Sequence, residues 1–273
     1  MTQILTSADA LVRLVPDGAK IAVFKDSGIP MEIARALVRR DARGLHLVTV
    51  PTSGEFADML IGAGCVSVIE TAGVSLGEFG PAHAFVRAVK AGAIEIRDST
   101  CPAVYTGLQA AEKGIPFMPI RGLIGSDLLG VRPDYKVIGN PFADDDPIVA
   151  IPAIRPDVAV MHVPLADRFG NLWISRAHEL KILAHASVLT LATAEEIVDD
   201  NLALDETRAP ALIPGHSVAA LAPAPNGAWP MDLPGRYAAD TGHRRAYADR
   251  TRTPEGMATY LREVVFGETV AAE

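Results

Sequence analysis

Short apolar runs alternate with segments of helical periodicity along most of the chain, and this alternation restricts its fold more than any other feature. It calls for strands buried on both faces by crossover helices, an α/β architecture on an open, mostly parallel sheet flanked by helices. Thr6 or Ser7 is placed to cap a first helix reaching about Val15, with Asp9 favourable in its first turn. Asp17-Gly18 then turns the chain into an apolar strand over 21–24. Gly28 and Pro30 punctuate the next loop, and Pro30 falls near the first position of a helix over 31–40. Further strands are expected over 45–50, 66–70, 94–96, 148–151, 157–163 and 188–192. Helices are expected from 55 and over 82–90, 103–113 and 176–184, with a short apolar segment over 115–120.

Two stretches break the pattern. Residues 119–147 combine Arg121-Gly122, Gly125-Ser126-Asp127, Asn140-Pro141-Phe142 and the acids 144–146 without strong periodicity, and they read as one long loop. Residues 209–236 carry Pro210, Pro214, Pro223, Pro225, Pro230 and Pro234, which predicts an extended segment running over the surface. A last helix begins with Thr253 as cap and Pro254 at its first position, and it continues over 257–265. A single domain over 1–273 with a Pro-rich C-terminal extension is the simplest organisation.

Composition excludes several classes. The formal net charge is −8, and no basic block exceeds the pairs Arg39-Arg40 and Arg244-Arg245, so no nucleic-acid partner is expected. The two cysteines, Cys65 and Cys101, are too few for a disulfide framework and read as reduced, buried thiols. No histidine pair has metal-ligand spacing, so no metal is expected. The N-terminus has no charged n-region followed by a long apolar stretch, and no apolar run approaches the ~20 residues that span a bilayer. No membrane association is expected, and the cytoplasm follows as the expected location.

Loops at the carboxyl ends of parallel strands are where open α/β sheets bind ligands. Four of them, 25–30, 51–54, 72–81 and 119–127, are rich in Gly, Ser and Pro. The first lacks the spacing of a dinucleotide or P-loop fingerprint and reads equally as an ordinary turn. In the third, Gly73, Gly77 and Gly80 allow close backbone approach to a ligand, Ser75 offers a hydroxyl, and Glu78 is either a carboxylate nucleophile or a solvated loop acid. Arg121 and Ser126 can bind a carboxylate, or Arg121 can pair with a nearby acid. His162 in an apolar strand reads as a satisfied core histidine. Neither Ser75 nor Ser126 sits in a nucleophile elbow, which argues against an α/β-hydrolase.

Several segments, taken in order, carry a resemblance. They are Pro16-Asp17-Gly18, residues 79–87 with Gly92-Ala93-Ile94-Glu95, and residues 107–111. Then come 116–122, Gly125-Ser126-Asp127, Pro141-Phe142, 151–158 and 166–171. From about Val15 to Leu221 the chain resembles the α subunits of family I CoA transferases, especially the glutaconate CoA-transferase-like branch. The resemblance implies a CoA-transferase-like fold and transfer of CoA between an acyl-CoA and a carboxylic acid. A glutamate attacks the thioester to give a mixed anhydride, CoA thiolate returns to form a glutamyl thioester, and the acceptor acid takes the CoA. In most two-subunit members that glutamate belongs to the β subunit. The implied partner is therefore a CoA-transferase β subunit in an α2β2 or larger hetero-oligomer, with coenzyme A as substrate and no permanently bound cofactor. Gly28, Ser75 and Gly77 would line the pocket and Arg121 and Ser126 its rim. No catalytic residue is assigned in this chain beyond the candidate Glu78.

Two departures qualify the resemblance. The first loop, Lys25-Asp26-Ser27-Gly28, keeps one glycine where the family usually has two. Ser99-Thr100-Cys101-Pro102 stands where related ring-opening CoA hydrolases carry an acidic residue. The alternatives are an acyl-CoA hydrolase of the same fold, cleaving a thioester or a C–C bond, and a non-catalytic ligand-binding or structural subunit. Residues beyond Leu221 lie outside the resemblance.

Overall fold

The computed structural model describes residues 2–24, 28–50 and 52–268. Its centre is an eight-stranded sheet in the spatial order Gln3–Ile4, Ala220–Pro223, Leu189–Ala194, Val158–Val163, Lys20–Phe24, Leu45–Val50, Val66–Thr71, Glu95–Asp98. Every neighbouring pair is parallel. The two-residue period of a strand divides the core into two layers. Ile21 and Val23 pack with Met31, Leu37, Phe56 and Leu60 on one face. Ala22 and Phe24 pack with Val104, Leu108, Leu180 and Leu183 on the other. All six residues of Val158–Val163 are buried, as a strand covered on both sides requires. Each fully buried Leu or Phe in these layers contributes about 1.5–3 kcal/mol.

The helices follow their sequence signals. The Ser7 hydroxyl accepts from Ala10 N–H at the start of Ala8–Leu11, and Thr253 caps Pro254–Tyr260 by accepting from Gly256 N–H. Pro30 stands at the cap of Met31–Arg39 rather than inside it. The helix expected from 176 begins at Leu180. Helix Thr241–Arg250 was unforeseen, because its polar sequence shows no apolar stripe.

Three expectations need correction. Residues 119–147 are not one loop. Phe117–Ile120, Lys136–Gly139 and Pro147–Pro152 form a three-stranded antiparallel sheet, with the short helix Leu128–Val131 between the first two. Four-residue strands with mostly exposed faces leave little periodicity to read. The Pro-rich segment does not run over the surface either. Ala220–Pro223 inserts into the main sheet with Ala220, Leu221 and Ala222 buried, and its proline falls at the exposed strand end, where a lost N–H is tolerated. Leu212–Ile213 joins a second small sheet with Leu165–Asp167, Leu172–Trp173 and Ile197–Val198. Cys65 is buried, and burial pushes its thiol up to about 11, but Cys101 is exposed at the first turn of Cys101–Glu112.

Two polar clusters fasten the excursions to the sheet. Arg132, buried, donates from Nη2 to Glu70 Oε1 (2.8 Å) and to Asp134 Oδ2 (2.8 Å), and from Nη1 to the Asp98 carbonyl (2.9 Å). Its guanidinium lies 4.1 Å from the Tyr135 ring centre. This ties the three-stranded unit to the edge strands Val66–Thr71 and Glu95–Asp98. At the sheet's centre, Glu195 Oε1 accepts from His162 Nε2 (2.8 Å), Tyr237 O–H (2.6 Å) and Gly227 N–H (3.1 Å), while Oε2 accepts from Asn226 N–H (2.8 Å). His162 Nδ1 pairs with Thr193 Oγ1 at 2.9 Å, so His162 is the satisfied core histidine its sequence context predicts. The C-terminal segment from Asn226 to Tyr237 is thereby held across the strand ends.

Removing one member of a buried ion pair strands the other charge. Arg132→Leu should lower stability by about 3–5 kcal/mol, read from the urea midpoint, and adding Glu70→Leu should recover much of that loss. For Glu195, burial acts to raise the pKa, but the hydrogen bonds from His162, Tyr237 and Asn226 outweigh it and hold the carboxyl at about 2 against an ordinary 4.5. A depressed folded pKa gives stability that is complete above the unfolded value and is lost as pH falls toward the folded one. Glu195→Gln should therefore be less stable than the parent at neutral pH. Its urea midpoint should also fall less steeply than the parent's between about pH 5 and pH 3.

Candidate active site

The chain runs outward from Lys20–Phe24 through 45–50, 66–71 and 95–98, and later outward the other way from Val158–Val163. The loops leaving the two central strands therefore diverge and open a crevice at the carboxyl edge. Gly28 stands at that point with φ +77°, and its carbonyl accepts from His162 N–H at 3.1 Å. A Cβ there would lie 2.3 Å from the His162 carbonyl oxygen, so only glycine fits. Lys25, Asp26, Ser27 and Pro51, which belong to two of the loops singled out in the sequence, lie outside the described residues.

Beside this crossing, the loops after Leu45–Val50 and Val66–Thr71 are joined backbone to backbone. Ser53 N–H donates to the Gly73 carbonyl (3.1 Å) and Ser75 N–H to the Ser53 carbonyl (3.0 Å). The buried hydroxyls of Thr49 and Thr71 pair beneath them, and Thr71 also donates to the Gly73 carbonyl (2.8 Å). The two loops approach closely: a Cβ on Gly54 would come within 2.9 Å of the Ser75 carbonyl oxygen. They form one wall of a cleft of about 440 Å³, with Thr52, Ser53, Gly54, Ser75, Leu76 and Gly77 facing it. Ile29 and the C-terminal residues Met231, Asp232 and Arg244 complete it. A second opening of the same size lies at the amino ends of Leu189–Ala194 and Ala220–Pro223, lined by His185, Ser187 and His216. The carboxyl-edge cleft is the stronger candidate, being where parallel sheets present loop backbone and helix N-termini to ligands.

Helix Glu55–Gly62 starts in the cleft wall with no side-chain cap, so its first N–H groups and positive dipole end are available to an anion. Glu55 itself is 2% exposed. Its Oε1 accepts from Arg244 Nε at 2.9 Å, and Oε2 has no hydrogen-bond partner among the described residues. Burial, aided by the charge of Asp58, pushes the Glu55 carboxyl above its usual range, against the pull of Arg244. One turn on, Asp58 is also raised by burial, although it accepts from Phe85 N–H (2.9 Å) and Tyr247 O–H (2.8 Å). Arg244 stacks 4.7 Å from the Phe79 ring centre.

Of the residues singled out in the sequence, Ser75 and Gly77 come together in the cleft, and Gly28 stands next to its Ile29. Ser75 Oγ accepts from Gly77 N–H at 3.1 Å, and among the described residues no side-chain base hydrogen-bonds to it. Glu78 is exposed and does not line the cleft. Arg121 and Ser126 lie on the three-stranded unit, apart from the cleft. Arg121 bridges to Asp146, with Nε donating to Oδ1 at 3.0 Å, and Ser126 Oγ accepts from Leu128 N–H. Glu55, Asp232 and Arg244 were missed. A carboxylate in a helix's first turn is ordinary, and Arg244-Arg245 reads as surface charge, so only the topology brings them together. Among the described residues no group of three or more His, Cys, Asp or Glu could hold a metal ion.

The coenzyme A transferase family model matches residues 4–221. The α-type chain of 3-oxoadipate CoA-transferase from Pseudomonas knackmussii is 32% identical over 273 residues, covering 98% of this chain and 95% of that one, so the similarity continues past Leu221. The cholesterol ring-cleaving hydrolase IpdA subunit of Rhodococcus jostii is 30% identical over 255 residues, covering 85% of this chain and 82% of that one. The crystal structure of glutaconate coenzyme A-transferase from Acidaminococcus fermentans superposes with a TM-score of 0.90 at 27% identity, across 98% of this chain and 90% of that one. With a family match over most of its length and the same open parallel sheet, this chain belongs to the coenzyme A transferase family, as one of its α-type subunits.

Proposed function

We propose that this subunit moves CoA between an acyl-CoA and a free carboxylic acid together with a β-type partner, whose glutamate receives the acyl group. The supporting observation is the state of the carboxylates in and near the cleft. Glu55 is buried, bound to Arg244 and pushed by burial toward its protonated form, and Glu78 is exposed away from the cleft. A nucleophilic carboxylate needs desolvation, charge and aim at once, and neither residue combines them.

In the proposed cycle the partner's glutamate attacks the thioester carbonyl, and CoA leaves as thiolate, giving an acyl–glutamyl anhydride. The thiolate attacks the glutamyl carbonyl, releasing the donor acid and leaving a glutamyl–CoA thioester. The acceptor carboxylate then attacks that thioester, and the returning thiolate takes the new acyl group and frees the glutamate. Each addition puts charge on a carbonyl oxygen. The uncapped first N–H groups of helix Glu55–Gly62, in the cleft wall, are the donors this chain offers such an oxyanion. CoA enters as substrate, and Gly28 lets the backbone pack tightly under the cleft floor.

The partner reading gains support from apolar side chains left in solvent on the three-stranded unit. Phe117 is 43% exposed, Val137 53% and Phe142 93%. Arg121 and Ser126 belong to this same unit and fit a rim completed by the partner. An α2β2 or larger assembly in the cytoplasm is the proposed setting; no helix among the described residues is long and apolar enough to cross a membrane. The similarity to a ring-cleaving hydrolase chain favours a second reading, in which water replaces the acceptor acid. Against it, Ser99 is buried with its Oγ 2.8 Å from Tyr135 Oη, and Thr100 caps a helix, so this segment offers no carboxylate.

Purified alone, the chain should transfer no CoA; purified with its β-type partner, it should. Incubation with acyl-CoA and mass spectrometry of both chains should place a CoA or acyl adduct on a partner glutamate. An adduct on Glu78 or any residue of this chain would overturn the proposal. Loss of thioester to water with no adduct on either chain would establish the hydrolase reading instead.

A further inference from the structure

The main sheet ends on one side in Glu95–Asp98, which pairs only with Val66–Thr71 among the described residues and exposes all four of its residues. An unpaired sheet edge is a template for a further strand, and proteins usually cover, shorten or blunt it. The opposite edge is the two-residue strand Gln3–Ile4, too short to serve in this way. Beside Glu95–Asp98 runs an open groove of about 310 Å³, whose other wall is the turn carrying Val131, Pro133 and Asp134. Val131 is 66% exposed and Ile96 38%. Arg132 fixes that wall to the strand by donating to the Asp98 carbonyl. Ser99 N–H donates to the Thr71 carbonyl, and alternate residues of a strand turn their backbone groups to opposite sides. The N–H and C=O of Ile96 therefore point away from Val66–Thr71, out of the sheet edge.

The charges on this edge are complementary to themselves. Glu95 and Arg97 share one face of the strand, where Arg97 Nε donates to Glu95 Oε1 at 3.0 Å. In an antiparallel ladder of two such strands centred on Ile96, each Glu95 stands opposite the other strand's Arg97, and Ile96 meets Ile96 on the other face. Moving the centre by one residue sets Glu95 against Glu95 or Arg97 against Arg97, and a parallel ladder in register does both. Like charges directly opposite one another are destabilising. The ladder centred on Ile96 is also two-fold symmetric, and its central bonds use the outward groups of both Ile96 residues. We infer that Glu95–Asp98 pairs antiparallel with the same strand of a second copy of this chain, joining two main sheets into one. This rests on the reading of an assembly that holds two copies of the chain, and it names the contact between them.

The test reads particle mass by sedimentation over a concentration series, for the full chain alone and for its complex with the partner subunit. The parent complex should carry at least two copies of this chain. Ile96→Pro removes an N–H that the main sheet does not use, so it should keep the fold while weakening self-association about tenfold or more. Arg97→Glu sets like charges opposite one another and should weaken it to a similar extent. The reversed pair, Glu95→Arg with Arg97→Glu, should restore it to within about threefold, which guards against a variant that merely misfolds. A parent complex with one copy, self-association unchanged by Ile96→Pro and Arg97→Glu, or no restoration by the reversed pair would each overturn the inference. So would release of the partner subunit by Ile96→Pro with two copies of this chain still joined, since the edge would then belong to the partner. Turnover separates the contact from the functional reading. CoA transfer by complexes that keep two copies of this chain in spite of Ile96→Pro overturns the contact and leaves the transferase cycle standing. Ile96-dependent pairing in a complex that moves no CoA does the reverse.

Discussion

A parallel sheet buried on both faces leaves its chain few choices. Each strand must return to the same edge by a crossover, each crossover must cover a face, and alternate residues must be apolar in both directions. Lys20–Phe24 meets this with Ile21 and Val23 in one core and Ala22 and Phe24 in the other. All carboxyl ends then emerge together, and the reversal of strand order beside Val158–Val163 parts the loops there. The cleft is a consequence of the burial pattern before it is a consequence of any functional residue. Gly28 shows how tightly the two are coupled, since the turn that opens the crevice packs directly on the His162 carbonyl.

What lies outside the sheet needs separate fastening, and both fastenings are carboxylates with several donors. Glu70 accepts from Arg132 at the far edge, while Glu195 gathers His162, Tyr237 and two backbone N–H groups at the centre. A buried polar network of this kind is costly when half satisfied, so it specifies one placement of the segments it joins. Glu195 bears on the shape of the cleft. By holding residues 226–237 across the strand ends, it sets where Met231, Asp232 and the helix carrying Arg244 stand relative to the Ser75 loop.

The sequence made the sheet legible because strands buried on both faces leave continuous apolar runs, as over 45–50 and 157–163. It failed where burial is one-sided or shape is set by pairing at a distance. Phe117–Ile120 and Lys136–Gly139 expose most of their residues, and Ala220–Pro223 hides inside a proline-rich stretch whose composition reads as surface. The site divides the same way. Ser75 and Gly77 were legible because glycine and serine after a strand have a local meaning. Arg121 and Ser126 share that local meaning yet fold away from the cleft. Glu55 and Arg244 are 189 residues apart in the chain, and no local pattern marks either.

The Glu55–Arg244 pair also bears on why the proposed cycle takes its nucleophile from a partner chain. A carboxylate that attacks a thioester must be ionised, free of strong donors and shielded from water until the substrate arrives. Within one chain these demands conflict. Burial beside the 52–55 turn shields Glu55 but raises its pKa, and the arginine that compensates the charge also occupies an oxygen. An exposed acid such as Glu78 stays hydrated. An interface resolves the conflict, because a carboxylate delivered from a second surface can be ionised in its own setting and desolvated by docking. On that reading the buried pair shapes the cleft wall, and chemistry waits for the partner's surface to close the cleft.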